Sequence, residues 1–396
     1  MNETALNMSR SQADSTSASE KRTVRKVVAR KFIERPKTVV IMAGGTGGHV
    51  YPGLAVAEAM HQRGFNIAWL GSRGGMEKEL VAKASEQMGF DIAFSEIEIS
   101  GVRGKGRMAL LAAPFRVLKA IEQAKQILQK LRPALVIGMG GFVAGPGGMA
   151  ARKLKIPLVI HEQNAAAGTT NKILRRFANL TLVAFPGSLK NGVFVGNPVR
   201  KDIETVAPPQ QRFAQKEGPI KVLVLGGSRG ALAINEMVPA AFGKVNKALP
   251  FQIVHQTGKD KLEATKESYA LAGVKANVVP YIELMSEALE WADFAICRSG
   301  ALTVSELAAV GLGAVFIPFP YAIDDHQTKN ADFLVQCGAA VVKQQKELSP
   351  EILAVLLNEL LAGRERLQQM AVKAKQQSKP HAAEKFADFC EELIHD

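Results

Sequence analysis

Thr38 to Met60 reads TVVIMAGGTGGHVYPGLAVAEAM, and the order of its parts decides the fold. A β-branched apolar run ends in Gly44, Gly45, Thr46, Gly47, Gly48 and His49, and apolar residues then recur at helical spacing. The pattern predicts a strand, a glycine turn and a helix start. Glycines let backbone amides approach a ligand with no Cβ in the way, and the helix start adds unpaired N–H groups with partial positive charge. An anion site follows, for a diphosphate or for the oxygens around a reacting sugar; taken alone, the turn is equally well explained as a tight chain reversal. A dinucleotide site loses both its marks. G-x-G-x-x-G begun at Gly45 puts Val50 in place of the last glycine, and the second strand runs out at Leu70, Gly71 and Ser72 without a ribose-binding acid. No G-x-x-x-x-G-K-[ST] run occurs.

The same arrangement returns later. Val222 to Leu225 predicts a strand, Gly226 to Gly230 a glycine turn and the following residues a helix, with Gly226 lying 182 residues beyond Gly44 (226 − 44). Strands are expected in the first part at Thr38–Met42, Asn66–Leu70, 134–137, Leu158–Ile160 and 180–184, with helices at 53–63 and 115–130 among those between them. In the second part they are expected at 252–256, Asn277–Val279, Phe294–Cys297, 314–317 and 339–342, after a proline-containing connection at 196–219. Alternating strands and helices make parallel βαβ units, so the fold class is α/β, two doubly wound domains facing across a cleft. Ligands bind such sheets beyond the carboxyl ends of the strands.

The chain of 396 residues is long enough for two cores, and 47% apolar with 22% charged residues is an ordinary globular composition. Cys297, Cys337 and Cys390 form no C-x-x-C pair, which argues against a zinc site or disulfide framework and for a reducing compartment. The charge-free windows 133–151 and 307–323 are broken by six glycines and by Pro318 and Pro320, so neither reads as a membrane span. Residues 1–36 read as a disordered basic tail; up to Lys37 the chain holds nine basic and four acidic residues, +5 of the total +13. Nucleic acid is not expected as a partner, because aromatics are only 6% and no RNA- or DNA-binding motif appears. Anionic lipid and a phosphorylated substrate both account for the charge.

Polar clusters fall at several strand ends. GMGGFVAGPGG, Gly138 to Gly148, is a third glycine cluster; its sub-window 145–150 fits the loose dinucleotide pattern, but Pro146 and its distance from the strand argue against a cofactor turn. His161, Glu162, Gln163 and Asn164 are expected at the mouth of a strand, where as a group they favour ligand contact. After Cys297 come Arg298, Ser299 and Gly300. Thr303 with Glu306 fits a capping box, while the Glu306 carboxylate also suits the paired hydroxyls of a ribose. Asp324, Asp325, His326, Gln327 and Asn330 suit sugar hydroxyls; no second ligand cluster accompanies them, so no metal is expected.

Together GGTGGH, GMGGFVAGPGG, HEQN, GNPVR, GGSRGA, CRSGALTVSEL and the H-Q-x-x-N-A ending resemble the MurG family of peptidoglycan glycosyltransferases, in its order and spacing from Lys37 to Asp396. The resemblance implies a GT-B fold of two Rossmann-like domains: 37–199 on the acceptor and membrane side, with a helix at about 377–396 packing back on it, and 200–376 binding the donor. It implies transfer of N-acetylglucosamine (GlcNAc) from UDP-GlcNAc to lipid I with inversion and no cofactor, at the cytoplasmic face of the bacterial inner membrane. Other cell-wall synthesis proteins are further partners it leaves open. By position, Thr46, Gly47, Gly48 and Asn164 lie near the transferred sugar, and Arg200 and Ser228 meet the nucleotide and its diphosphate. Ile282 contacts the uracil, and Ala301, Leu302, Thr303, Val304, Ser305 and Glu306 line the nucleotide, with Glu306 on the ribose and Gln327 on a sugar hydroxyl. Two positions depart from the family: His326 stands where many members carry glutamine, and Arg229 where a glutamine often follows the serine.

Inverting displacement needs a base opposite the leaving group. His49, whose side chain titrates near neutrality, is the expected base, with Glu162 as its rival. A lipid-linked acceptor also requires membrane contact. Leu110, Leu111 and Phe115, set among Arg103, Lys105, Arg107 and Arg116, fit attachment to an anionic surface, whereas Leu118 and Ile121 are expected in the core.

Overall fold

The computed structural model describes residues 37–99, 113–227 and 230–395, apart from the Ile323 side chain. The expected basic tail lies outside them. Seven strands form one parallel sheet: β1 (Thr38–Met42), β2 (Asn66–Ser72), β3 (Ile92–Ile97), β4 (Leu135–Gly138), β5 (Leu158–Glu162), β6 (Leu180–Val183) and β7 (Val193–Phe194), in the order 3-2-1-4-5-6-7. Six form a second: β8 (Ile220–Leu225), β9 (Phe251–Gln256), β10 (Asn277–Val279), β11 (Phe294–Cys297), β12 (Gly313–Phe316) and β13 (Ala340–Val342), in the order 10-9-8-11-12-13. Both orders reverse beside their first strand, between β1 and β4 and between β8 and β11. At such a reversal the crossovers leave in opposite directions and open a crevice at the strand ends.

The helices of the first half are α1 (Gly47–Gln62), α2 (Glu77–Met88), α3 (Ala113–Leu131), α4 (Gly141–Lys153) and α5 (Thr169–Leu174). Two short helices, α6 (Lys201–Glu204) and α7 (Pro209–Ala214), lie within the proline-containing connection. Then follow α8 (Leu232–Phe242), α9 (Leu262–Leu271), α10 (Met285–Trp291), α11 (Ala301–Val310), α12 (His326–Val335), α13 (Pro350–Leu361), α14 (Arg364–Gln376) and α15 (Ala382–His395).

The central strands of each sheet are buried on both faces, which is why β1, β4, β8, β11 and β12 are apolar at nearly every position rather than at alternate ones. In the first sheet Val39, Ile41, Ile67, Trp69, Leu135 and Ile137 face one core, while Val40, Met42, Ala68, Leu70, Val136 and Ile160 face the other. In the second, Val222, Val224, Phe294 and Ile296 are divided in the same way from Leu223, Leu225, Ala295 and Cys297.

Several boundaries differ from expectation. Helix α1 starts at Gly47, not Gly53, so Gly47, Gly48 and His49 belong to its first turn and the turn proper is only Gly44, Gly45 and Thr46. Strand β5 runs on through His161 and Glu162, and residues 145–150 lie inside α4. Strands β3 and β7 were not expected; both hold partly exposed polar or edge positions that dilute the apolar signal. Leu118 is 59% exposed on α3 and is not a core residue, whereas Ile121 is.

Helix α15 packs against α1, and its Ala383, Phe386, Ala387 and Cys390 enter the core that holds Ile41 and Trp69. Phe386 is fully buried and meets the His161 ring edge-on at 5.6 Å. Truncating so large a buried ring leaves a cavity, so Phe386→Ala should destabilise the protein by ~3–5 kcal/mol. Denaturant unfolding measures this; a cost under about 1 kcal/mol would contradict the packing described.

Candidate functional site

The turn after β1 is drawn tight by backbone bonds, with Thr46 O accepting from His49 N (3.1 Å) and Val50 N (3.3 Å). Thr46 is the extended N-cap residue of α1, and its Oγ1 lies 3.2 Å from His49 Nδ1. The imidazole rests against Gly140, which has φ +101° and follows β4 across the switch point. A Cβ on Gly140 would stand 2.6 Å from His49 Cδ2, so glycine is needed there for both its conformation and the ring's seat. Burial holds the His49 pKa below the usual imidazole range; the Glu162 carboxylate opposes the shift and His326 adds to it. The ring is therefore a neutral base at pH 7.

Glu77, not singled out from the sequence, lies beneath the same turn. It is fully buried at the start of α2, and its carboxylate accepts from Ser72 N (2.7 Å), Ser72 Oγ (2.6 Å) and Gly45 N (3.3 Å). In the sequence it looks like an ordinary first-turn acid.

The four polar residues after Ile160 divide. His161 is buried away from the strand mouth, with Nε2 3.0 Å from Gly196 O. Gln163 donates to Met139 O at 2.6 Å and so braces the turn after β4. Glu162 is buried, and its oxygens accept from Asn164 N, Asn164 Nδ2, Gly168 N and Asn171 Nδ2 at 2.9–3.3 Å. A carboxylate with four donors holds a loop and has little capacity left for a substrate proton. The geometry therefore speaks against Glu162 as the rival base. Asn164 alone reaches the other half: its Oδ1 accepts from Asn330 Nδ2 (3.3 Å), while Asn330 Oδ1 accepts from Ala165 N (2.8 Å) and Nδ2 also donates to Ser299 O (3.2 Å).

A second bridge between the halves is the contact of Tyr51 Oη with Tyr281 Oη at 3.3 Å. The Arg200 guanidinium lies over the Tyr51 ring at 5.5 Å. Burial pushes the Glu306 pKa up to about 7, with Arg200 pulling it down and Asp202 raising it. Glu306 lies mid-way along α11, whose N-cap is Gly300, so the expected Thr303–Glu306 capping box does not exist. Val304 is wholly in the core with its amide bonded to Gly300 O, and Ala301 is buried too. Leu302, Thr303, Ser305 and Glu306 remain partly accessible, and the first amides of α11 lack helical acceptors.

Ile282 N donates to Gln256 Oε1 at 2.9 Å, which fixes the loop after β10. The Gln327 carboxamide oxygen is taken up by Phe319 N (2.9 Å), and Arg298 is a structural clamp on Ile317 O, Pro318 O and Gln345. Ser228 and Arg229 lie outside the described residues, as do Arg103, Lys105, Arg107, Leu110 and Leu111. Phe115 is 77% exposed on α3, next to exposed Arg116. Among the described residues the grouping that could hold a metal is Glu204, His381 and Glu384, between α6 and the start of α15; it was not visible in the sequence because 177 positions separate its members (381 − 204). The Asp324-Asp325-His326 run forms no such group among them.

Two doubly wound parallel sheets with glycine turns at both switch points make a GT-B fold. Residues 39–183 match the model of the glycosyltransferase family 28 N-terminal domain and residues 221–386 that of the family 28 C-terminal domain. The chain belongs to glycosyltransferase family 28, and within it to the MurG family that its motifs resemble. A Marinobacter nauticus protein named as a UDP-N-acetylglucosamine–N-acetylmuramyl-(pentapeptide) pyrophosphoryl-undecaprenol N-acetylglucosamine transferase is 48% identical over 359 residues, covering 90% of this chain and 97% of its own. A Dechloromonas aromatica protein of the same name is 45% identical, covering 90% and 99%. Acinetobacter baumannii MurG is 43% identical with a TM-score of 0.78, covering 90% of this chain and all of its own. A Neisseria meningitidis UDP-GlcNAc 2-epimerase shares the fold alone, at 10% identity and a TM-score of 0.62 over 90% of this chain and 100% of its own.

The electrostatics of Glu306 can be checked in the free protein. Its carboxyl should titrate near 7 by carbon NMR, Arg200→Ala should raise the midpoint and Asp202→Ala should lower it. A midpoint at the ordinary value of about 4.3 would contradict the burial assigned to it.

Proposed function

We infer that the protein transfers GlcNAc from UDP-GlcNAc to the 4-hydroxyl of the N-acetylmuramoyl sugar of lipid I, giving lipid II. One observation carries this reading: relatives named for that transfer match 90% of the chain at 45–48% identity, and both family 28 domains are present. The epimerase likeness supports the fold and no more.

We assign residues 37–199 to the acceptor side and 200–376 to the donor side. UDP-GlcNAc would lie between the first amides of α11 and the Gly226–Gly230 turn, with the Glu306 carboxylate accepting from the ribose hydroxyls. Ile282 stands at the uracil, and Arg200 with Ser228 meets the diphosphate. Thr46, Gly47, Gly48 and Asn164 would surround the transferred sugar, and Gln327 would release Phe319 N to reach a sugar hydroxyl. With Nδ1–H donating to Thr46 Oγ1, the Nε2 lone pair of neutral His49 can take the acceptor hydroxyl proton. Attack on the anomeric carbon then inverts it. Negative charge grows on the departing UDP, where helix-end amides and Arg200 stabilise it.

No described helix is long and apolar enough to cross a membrane. Attachment at the cytoplasmic face of the inner membrane is proposed for the surface of α3, where Phe115, Leu118, Arg116 and Lys119 are exposed. Arg103, Lys105, Arg107, Leu110 and Leu111, which precede α3 in the sequence and lie outside the described residues, carry the charge and apolar side chains that such attachment uses.

The test is UDP release from UDP-GlcNAc that requires a lipid I analogue; conversion of donor to an epimer without acceptor would refute the reading. Within that assay His49→Ala should lower kcat by roughly 10²–10⁴-fold with donor affinity kept. Glu162→Ala should instead lower the melting temperature, through its loop. Because a base must be deprotonated and burial depresses the His49 pKa, kcat/KM should fall with acid only below the usual value of about 6.5. An acid limb centred above it, or one that persists in His49→Ala, would remove His49 from the role.

A further inference from the structure

The Glu77 carboxylate is placed where a buried charge is costly, and no ion pair to it occurs among the described residues. Its neighbours Arg73 and Lys78 turn outward to Glu98 and Glu96. What satisfies it is a set of donors: two backbone amides, one hydroxyl and the field of the α2 N-terminus.

Two turn glycines make room for this one group, and a third, Gly71 near the end of β2, clears its stem as well as the Phe94 ring. A Cβ on Gly44 would stand 2.6 Å from Glu77 Oε1, one on Gly75 2.3 Å from Oε2, and one on Gly71 3.1 Å from Cγ. The carboxylate thus ties the end of β2 to the turn after β1, one residue before Thr46 and four before His49. We propose that Glu77 is the positioning residue of the acceptor-side turn: by holding Gly45 N it sets where Thr46 caps α1, and hence where the His49 imidazole stands. It touches no substrate and acts only through the turn. The proposal rests on the transfer reaction inferred above.

A carboxylate is specifically required, because every group that faces it donates. In Glu77→Gln the amide oxygen can still serve Ser72 N and Oγ, but the NH₂ group then confronts Gly45 N, donor against donor. The substitution therefore cuts the turn loose while keeping side-chain volume and the bond to β2.

The test uses the full chain and compares Glu77→Gln with wild type in three measurements. UDP-GlcNAc affinity should stay within about twofold, since the donor side is built in the other half. Turnover with a lipid I analogue should fall by roughly 10²-fold, the cost of misplacing a reacting group by about an ångström. Amide exchange of the peptide containing Gly45 should speed up at least tenfold. Should Glu77→Gln fail to fold, Gly44→Ala displaces the same carboxylate without removing it, and the same three results are expected. Wild-type turnover in a variant whose Gly45 amide has become free would overturn the proposal, and so would a parallel loss of donor affinity and turnover, which marks general damage. If the wild type itself transfers nothing, the transfer reading falls, and unchanged exchange at Gly45 would then overturn the tie as well.

Discussion

A backbone amide at the end of a parallel strand has left its ladder and must find another acceptor or face a ligand. Two turns in the first half of this molecule meet that demand with buried carboxylates, and the end of β3 meets it with the Gln123 carboxamide, which accepts from Glu98 N. Glu77 closes Gly45 and Ser72, and Glu162 closes Asn164 and Gly168. The second half uses neutral amides: Gln256 for Ile282, Gln327 for Phe319, and Asn330 for Ala165 across the cleft. The first amides of α11, beside the switch point between β8 and β11, have no acceptor within the helix.

The two sheets were legible because a parallel strand buried on both faces must be apolar along its length, and such runs as TVVIM and KVLVL have few other readings. Repetition of the glycine turn after 182 residues was legible for the same reason, and with it the two-domain plan. Boundaries were less so. Gly47 and Gly48 read as turn because glycine is a poor helix former, yet α1 begins with them, where the capping Thr46 and the tie beneath Gly45 set the chain direction. Leu118 was misjudged because a helical apolar period says which residues share a face and nothing about whether that face is covered.

The site was legible as a set of strand ends and only in part as chemistry. His49 was visible from its place after the glycines. Glu162 stood as the rival base from its place at a strand end; the four donors around it, which bind up its oxygens, have no mark in the sequence. The capping box at Thr303 failed because the helix had already started at Ala301, turning Glu306 from a local cap into a partly buried acid whose pKa burial raises to about 7. Glu77 was missed altogether, since its role is written in glycines on two other segments. A glycine that exists to clear space for a distant carboxylate cannot be told in sequence from one that bends the chain.

The seating of α15 in the first core has a consequence for how the molecule is made. Phe386 and Cys390 fill a layer whose other walls, Ile41, Val56 and Trp69, emerge from the ribosome more than 300 residues earlier. At roughly 5–20 residues per second, the sheet that starts the chain waits on the order of 15–70 s for its last wall. During that time an apolar face of the nascent first half stands open, and it closes only when the second half is already complete. The first half is thus finished by one late event, and a ribosome that stalls after the second sheet leaves it open however early its strands were made.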